Sequence, residues 1–347
     1  MKKTTLIVFV FAFIYTLMNS ATSYAQSAGD YMATITKEFQ EIAADGWDYT
    51  SAVAHGKSAR KVENRRKEVL AANTDAQEKI KKMGAFEGDK SLRDSTLAFL
   101  KLSYHVINFD YGKIVDMEAI SEESYDAMDA YLTAQEKAGE KLKEAGKRIE
   151  AEQKKFAAAH NIKLINSEDK LSAKLEEADK VFSYYNRVYL IFFKSYKEEG
   201  YVLDALNKHN INIAKGHADS LGKYSTHGLK YLDTVQAFKG DNTLKTACVT
   251  LLTFYKSEAT DKASVLLNFS AKEEGFYKIK AAFDSKPKNS RTQADVDEYN
   301  KAVNDFNEAT NEYNALNQQL NAKRAEFLNQ WNEIVSNFLD KQVPKRK

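Results

Sequence analysis

Three histidines in the second half of the chain, His209, His217 and His227, are the side chains best suited to hold a metal or a small ligand. Neutral imidazole is a common ligand of zinc and related ions. Steps of 8 and 10 residues separate them, which on one straight helix places them about 80° to either side of one another. Because no His-Glu-x-x-His motif is present either, we predict no metal and no cofactor. The alternative hypothesis is a metal or small-ligand pocket beside His209, His217 and Tyr184.

A basic loop near the end of the second half is the stretch that best suits a polar or anionic partner. Relative to the first half, the second carries 16 extra residues around Glu274–Asn289, which we interpret as a short helix followed by a loop. Loops held on rigid scaffolds often carry function. We therefore predict a binding surface, and its residues are Lys286, Lys288, Arg291 and Tyr277. A tolerated insertion without function is the other interpretation.

The last predicted helix carries a stripe of side-chain amides beside its apolar positions. Asn is a poor helix former, so such a stripe costs stability. It suits a partner helix or the hydroxyl groups of sugars, and a neutral solvated face is the simpler interpretation. The stripe consists of Asn300, Asn304, Asn307, Asn311, Asn314, Gln318 and Asn321.

Catalytic motifs are missing from the sequence. It contains no glycine-rich phosphate loop, no nucleophile elbow and no pairing of Cys248 with a histidine. Acidic residues are numerous, but nothing in their spacing selects an acid–base pair. A basic cluster from Lys57 to Lys67 suits phosphate or polysaccharide, although a solvated helix face is the favoured interpretation. We therefore predict that the protein is not an enzyme.

A short corner that appears twice organises the elements carrying these residues. Residues 85–92 read AFEGDKSL and residues 237–244 read AFKGDNTL, at an offset of 152. The glycines, Gly88 and Gly240, suit the positive φ that ends a helix. The Asp and Ser or Thr that follow suit the start of the next helix. Since helical patterns flank both copies, we predict an internal duplication of a unit of about 150 residues.

The fold class follows from composition and periodicity. The chain has only two prolines, and apolar residues recur at helical spacing for long stretches. Helices are predicted over 28–54, 58–83, 201–236 and 293–340, among others. We predict an all-α protein of two tandem antiparallel four-helix-bundle-like units. Their bounds are 26–162 and 163–340, followed by a basic tail, 341–347.

The first 25 residues have the pattern of a cleavable signal peptide. Lys2 and Lys3 precede an apolar segment from Leu6 to Met18, and small residues stand before a cleavage site after Ala25. Cleavage leaves 49 basic and 49 acidic residues, and a neutral chain argues against nucleic acid as a partner. We expect no transmembrane helix after cleavage, although the apolar stretch 181–193 allows a membrane-inserting alternative. Cys248 is the only cysteine, so no intrachain disulfide is expected.

The signal peptide, the Lys- and Glu-rich helices and the A-F-x-G-D corner together resemble those of uncharacterised, mostly helical surface proteins exported by some bacteria. The resemblance implies export and a helical fold, and it implies no activity. We therefore expect a non-enzymatic protein of the periplasm, the cell surface or the medium. It would bind a protein or an envelope glycan through helix faces or the end loop. Its oligomeric state stays open, because long heptad seams suit both an internal bundle and a coiled coil.

Overall fold

The computed structural model describes residues 16–17, 27–110, 120, 123–165 and 170–344. These residues form an all-α fold, as the composition predicts. One short antiparallel pairing joins β1 (Thr16–Leu17) to β2 (Leu164–Ile165). Most of the predicted signal peptide and the last three residues of the basic tail lie outside the described residues.

Long helices joined by short turns make up nearly all of the described chain. A five-residue π-helical turn follows the third helix (Val106–Asp110) and another follows the seventh (Glu258–Lys262). A single 3₁₀ turn, Lys288–Ser290, precedes the last helix. In chain order the α-helices are α1 (Ala28–Ala54), α2 (Ala59–Lys82), α3 (Ser91–His105), α4 (Tyr125–Ala159), α5 (Lys170–Asn207), α6 (Ile211–Thr234), α7 (Thr243–Ser257), α8 (Ala263–Ser285) and α9 (Gln293–Gln342).

Side-chain caps fix several of these ends. Ser27 and Asp30 form a reciprocal capping box at the start of α1, with Ser27 Oγ accepting from the Asp30 N–H at 3.0 Å. Ser124 accepts from the Ala127 N–H at the start of α4. The predicted bounds of α1 are confirmed, and α9 ends two residues later than predicted. Its 50 residues make a helix about 75 Å long.

One compact unit comprises residues 1–186 and 335–347. An aromatic cluster closes its core, in which Tyr31 stacks on Phe156 with ring centroids 5.6 Å apart and Phe86 contacts both. The Tyr31 hydroxyl donates to the Gly84 carbonyl at 3.0 Å, which satisfies the only polar atom of that side chain. Trp47 is buried in the same unit.

The other compact unit comprises residues 187–334. Its core is also aromatic, with Phe192 packed on Trp331 at 4.8 Å between ring centroids and on Tyr255 at 6.4 Å. The two units divide inside α5 and α9. The domain boundary at 162/163 stays a prediction.

The apolar stretch 181–193 lies within α5 and supplies buried side chains to these cores. Val181 and Phe182 belong to the first unit and are buried. Phe192 and Phe193 belong to the second unit and are also buried. None of the described helices is both long and apolar enough to cross a membrane.

The two corners adopt the same backbone geometry, although not the one predicted. Phe86 and Asp89 exchange two backbone hydrogen bonds, each of 2.9 Å, around Glu87 and Gly88. Both central residues have positive φ, 49° and 89°, as in a type I′ turn. Gly88 therefore does not end α2, which stops six residues earlier at Lys82. It closes a tight turn in the connection, where only a residue without Cβ adopts this φ without strain.

The second corner repeats this arrangement at the same offset. Lys239 and Gly240 have φ of 50° and 81° between paired Phe238 and Asp241. The Asp241 carboxylate accepts from the Thr243 N–H at 3.0 Å, as Asp89 accepts from the corresponding serine N–H. Lys245 donates to the Val235 carbonyl at 2.9 Å, as Arg93 of the first corner does to that of Met83. Each cation therefore ties the start of one helix to the end of the preceding one.

Whole elements recur with these corners. The bounds of α6 lie 152 residues after those of α2, and the bounds of α7 lie 152 residues after those of α3. A π-helical turn follows α3, and another follows α7. Five buried positions of α2 recur 152 residues later as buried positions of α6. In matching order they are Val62, Val69, Asn73, Ala76 and Ile80 in α2, and Ala214, Leu221, Ser225, Gly228 and Leu232 in α6.

The helix predicted over 201–236 is wrong in one respect, because a turn divides it. α5 ends at Asn207, and His209 takes a left-handed φ of 53° before α6 begins. Asn210 then caps α6, accepting from the Ile213 N–H at 3.3 Å. The turn coincides with four consecutive polar residues, 207–210, which leave a gap in the apolar period.

Replacing two glycines of α6 with alanine should change the stability of the protein in opposite directions. A Cβ added at Gly228 would lie 2.8 Å from a Leu252 methyl group and 2.9 Å from Ile191 Cγ2, whereas at Gly216 it would meet open space. Gly228→Ala should lower the free energy of unfolding by about 1 kcal/mol, since overpacking outweighs the gain in helix propensity. Gly216→Ala should raise it by about 1 kcal/mol. Urea denaturation of both variants measures this, and equal shifts would contradict it.

Candidate functional site

The basic end loop is a structured turn whose cations hold α8 to α9. Lys286 forms an ion pair with Asp295. Asp295 and Thr292 form a reciprocal capping box at the start of α9, with backbone-to-side-chain distances of 2.9 and 3.3 Å. The Lys286 ammonium, followed by the Thr292 N–H and hydroxyl, lowers the pKa of Asp295 to about 2. Lys286 is therefore engaged within the fold.

The other three predicted binding residues of this loop differ in what they contact. Arg291 donates to the Lys286 carbonyl at 3.1 Å, and its guanidinium lies 4.1 Å from the centre of the Phe283 ring. Tyr277 is 56% exposed. Lys288 is exposed in the 3₁₀ turn and contacts no acidic or aromatic side chain in the described part of the chain. Binding at these four residues stays a prediction.

The cap of α9 allows a direct test of this structural role. Thr292→Ala should lower the free energy of unfolding by about 1 kcal/mol, because the Asp295 N–H loses its partner. Ser290→Ala, in the same loop and also exposed, is the matched control and should change little. Thermal unfolding of the two variants measures the difference. An unaltered Thr292→Ala protein would show that the capping box contributes nothing.

Two members of the predicted histidine pocket, His209 and His217, each contact a carboxylate. His209 lies in the turn before α6 and contacts Glu273 at 2.9 Å. His217 contacts Glu198 at 2.8 Å and packs on Tyr201 with ring centroids 5.2 Å apart. Each imidazole therefore has its own carboxylate partner.

Tyr184, the third member of that predicted pocket, belongs to the other compact unit. Its ring packs on Phe338 with centroids 5.8 Å apart. A pocket formed by these three residues stays a prediction. Within the described residues, no three His, Cys, Asp or Glu side chains are grouped so that they could hold a metal ion.

An aromatic ladder joins α8 to the first half of α9 and shows what the extra residues of the second half form. They extend α8 as one continuous helix to Ser285, and no separate short helix forms. Three stacked ring pairs keep an antiparallel register with seven-residue steps on each helix, at centroid distances of 4.3, 4.8 and 4.5 Å. These pairs are Phe269–Tyr313, Phe276–Phe306 and Phe283–Tyr299. The two helices form a hairpin, which we call the aromatic hairpin (residues 263–316).

The amide stripe lies on the outer side of this hairpin. Its spacing alternates between four and three residues, and all seven side chains are exposed. The buried residues of the same segment, Ala302, Ala309 and Leu320, project from the opposite side of α9, since they differ from the stripe by about half a turn. The helix therefore turns its aromatic and small side chains inward and its amides to solvent.

The stripe is also free of charge, which is unusual for the exposed face of a helix in a chain with 29% charged residues. The charged side chains of this segment fall along one flank of it, as the helical period places them. They are Lys301, Asp305, Glu308 and Glu312. Of the seven amides, Asn321 is engaged: its Oδ1 accepts from Arg324 at 2.8 Å. The other six have no hydrogen-bond partner among the described residues, so their donors and acceptors face solvent.

A cleft of about 360 Å³ lies between α7 and α9 in the second unit. Thr243, Thr246 and Thr250 line one side, and Phe327, Gln330 and Trp331 line the other. Its surface is mostly apolar, with hydroxyl and amide groups at the rim. None of the residues predicted to bind a ligand lines this cleft.

A buried charge cluster in the second unit escaped the sequence reasoning. Arg324 of α9 donates through Nε to Glu199 of α5 and through Nη2 to Glu258, the first residue of the π-helical turn. The three side chains are at most 10% exposed. Glu258 Oε2 is buried and lacks a hydrogen-bond partner. We call these three residues the buried triad.

The buried triad holds two carboxyl groups against one guanidinium. Burial raises the pKa of Glu199 well above its usual value, the neighbouring Glu258 carboxylate raises it further, and Arg324 opposes both effects. Burial likewise raises the pKa of the Tyr255 hydroxyl close by. An unbalanced buried negative charge is costly, so the cluster favours retention of one proton. The separations of 125 and 66 residues hide it from any local motif.

A comparison of the chain with known protein families, with curated proteins and with solved structures found no match. The function of the protein must therefore be inferred from its own surfaces and side chains.

Proposed function

We propose that this protein is a non-enzymatic, exported protein of the bacterial cell envelope or surface that binds an envelope glycan through the amide stripe of α9. Export rests on the signal-peptide pattern of the first 25 residues. The observation that carries the binding function is the stripe itself: seven exposed, regularly spaced amides on a charge-free face.

Amide chemistry suits a glycan. Each Asn or Gln side chain offers two N–H donors and a carbonyl acceptor, and hydroxyl and acetamido groups of sugars offer both counterparts. A charge-free face has no means of attracting an anionic polymer, which favours a neutral one. The predicted loop residues contribute less to the proposed binding surface, because Lys286 and Arg291 form contacts within the turn. Lys288 and Tyr277 are left as candidate contacts.

Native mass spectrometry of the mature protein, Gln26–Lys347, recovered from its own cell envelope tests this proposal. A glycan adduct that the triple variant Asn304→Ala, Asn307→Ala and Asn311→Ala fails to retain would support it. Lys288→Glu is the control for the loop and should keep the adduct. A protein adduct would move the function to protein binding, and a repeatedly bare chain would contradict stable binding of either kind.

The alternative function, binding of a metal or small ligand at His209, His217 and Tyr184, has weaker support. His209 and His217 each contact a carboxylate, and the Tyr184 ring packs on Phe338. Metal analysis of the same purified protein tests this alternative, and a stoichiometric ion lost in His217→Ala would support it over glycan binding.

We further propose that the repeated corners and helices arose by duplication. The matching bounds and burial of α2 with α6 and of α3 with α7 support that origin. The 16 extra residues around Glu274–Asn289 would then have lengthened α8 and its turn in the second copy. The amide stripe on α9 also lies in the second half, which associates the proposed binding function with that half.

A further inference from the structure

We infer that the partner of the amide stripe is an extended, uncharged, β-linked polysaccharide that lies along α9, with successive sugars meeting successive amides. This inference rests on the proposed glycan-binding function and makes it specific. It names the chemical class of the ligand and its direction on the protein.

The register of the stripe carries the inference. Alternating steps of four and three residues average 3.5, which corresponds to an advance of about 5 Å along a helix axis. Sugars in an extended β-linked chain advance by a similar distance per residue. From Asn300 to Asn321 the stripe covers about 30 Å, so about six consecutive sugars can each meet an amide. A ligand lying across the helix would meet only one or two.

The chemistry of the face excludes the other occupant that its spacing suggests. Heptad spacing also occurs in coiled coils, but a stable coiled-coil seam needs apolar residues at most of these positions, and a single Asn already costs stability. Here all seven positions hold amides, while the apolar residues of this segment face α8 in the aromatic hairpin. A second copy of the chain would therefore bury polar groups with little apolar contact to offset their desolvation.

The stripe also reduces the stability of α9, which is expected of a surface kept for binding. Asn has a lower helix propensity than Ala or the charged residues that usually occupy exposed helix positions. None of the six unengaged amides forms a hydrogen bond to the described residues that would offset this. Replacing them with Ala should therefore strengthen the fold while removing the binding groups.

Isothermal titration calorimetry with β-1,4-linked N-acetylglucosamine oligomers of two to eight sugars tests the inference on the mature chain. The affinity should rise with length and level off at about six sugars, the number that the stripe can meet. The triple variant Asn304→Ala, Asn307→Ala and Asn311→Ala should bind the longest oligomer roughly tenfold more weakly or worse, since several hydrogen bonds are lost. Its melting temperature should be unchanged or higher.

Glu308→Ala with Glu312→Ala is the matched control, because both residues are exposed on the same stretch of α9 beside the stripe. This double variant should bind as the parent protein does, and α-linked glucose oligomers of the same lengths should bind weakly to every variant. Affinity independent of length would overturn the alignment along α9 and leave the proposed glycan function standing. Failure of the β-linked oligomers to bind, together with a different glycan adduct on the native protein, would overturn the ligand class alone.

Discussion

We expect Arg324→Met to lower the free energy of unfolding by about 3 kcal/mol or more. This is the largest effect that we predict for a single substitution. Removal of one partner of a buried ionic cluster costs about 3–5 kcal/mol, because the remaining charge is left without compensation. Here two carboxyl groups would remain without a cation to share their negative charge, and both are nearly inaccessible to water. The Met side chain keeps much of the volume of Arg, so the lost charge dominates over a packing defect.

Chemical denaturation at neutral pH measures this loss. Lys323→Met is the matched control: Lys323 is the preceding residue and pairs with Glu326 at the surface, where an ion pair contributes little. Adding Glu199→Gln and Glu258→Gln to Arg324→Met should restore much of the stability, since no buried charge then remains. If the single variant Arg324→Met were as stable as the parent, Arg324 would not be compensating a buried negative charge in the triad.

Glu199→Gln should remove a pH dependence of stability that the parent protein shows above pH 4.5. Burial and the Glu258 carboxylate raise the pKa of Glu199 in the folded state above its model-compound value of 4.5. Between these two pKa values the folded protein binds more protons than the unfolded chain. The contribution of Glu199 to stability is therefore greatest below about pH 4.5 and is lost as the pH rises through the folded pKa, by at most about 1.4 kcal/mol per pH unit.

Unfolding curves from pH 4.5 to 9 for the two proteins give the comparison. Gln resembles the protonated carboxyl in shape and hydrogen bonding, so the variant should keep its low-pH stability at high pH. Glu326→Gln, an exposed residue paired with Lys323, is the control and should keep the parental slope. An unchanged slope in Glu199→Gln would mean that Glu199 is already ionised across this range.

Local sequence signals were sufficient for much of the fold. The bounds of α1 follow from Ser27 and Asp30, which cap the helix where the apolar period begins. The long final helix follows from an uninterrupted heptad pattern without proline or glycine between Gln293 and Gln342. In both cases the energetic determinant, a cap or an apolar stripe, lies within the segment itself.

Features decided by backbone geometry or by distant partners were harder to predict. Gly88 suited a helix end equally well, and only the pairing of Phe86 with Asp89 made it a type I′ turn. The turn at His209 is marked in the sequence only by four consecutive polar residues, 207–210. Glu199 stands on a helix pattern that reads as surface, and its partner Arg324 lies 125 residues away. The spacing of the amides predicts the stripe. Its exposure and its position apart from the charged residues become clear only from the orientation of α9 in the fold.

The distribution of the two tryptophans has a practical consequence for optical measurements. The chain contains no others; Trp47 is buried in the first compact unit and Trp331 in the second. Replacing either with phenylalanine leaves a protein whose indole fluorescence reports on one unit only. Coincident melting curves for the two single-tryptophan proteins would indicate one cooperative transition, and separate curves would resolve the two units as independent folding bodies.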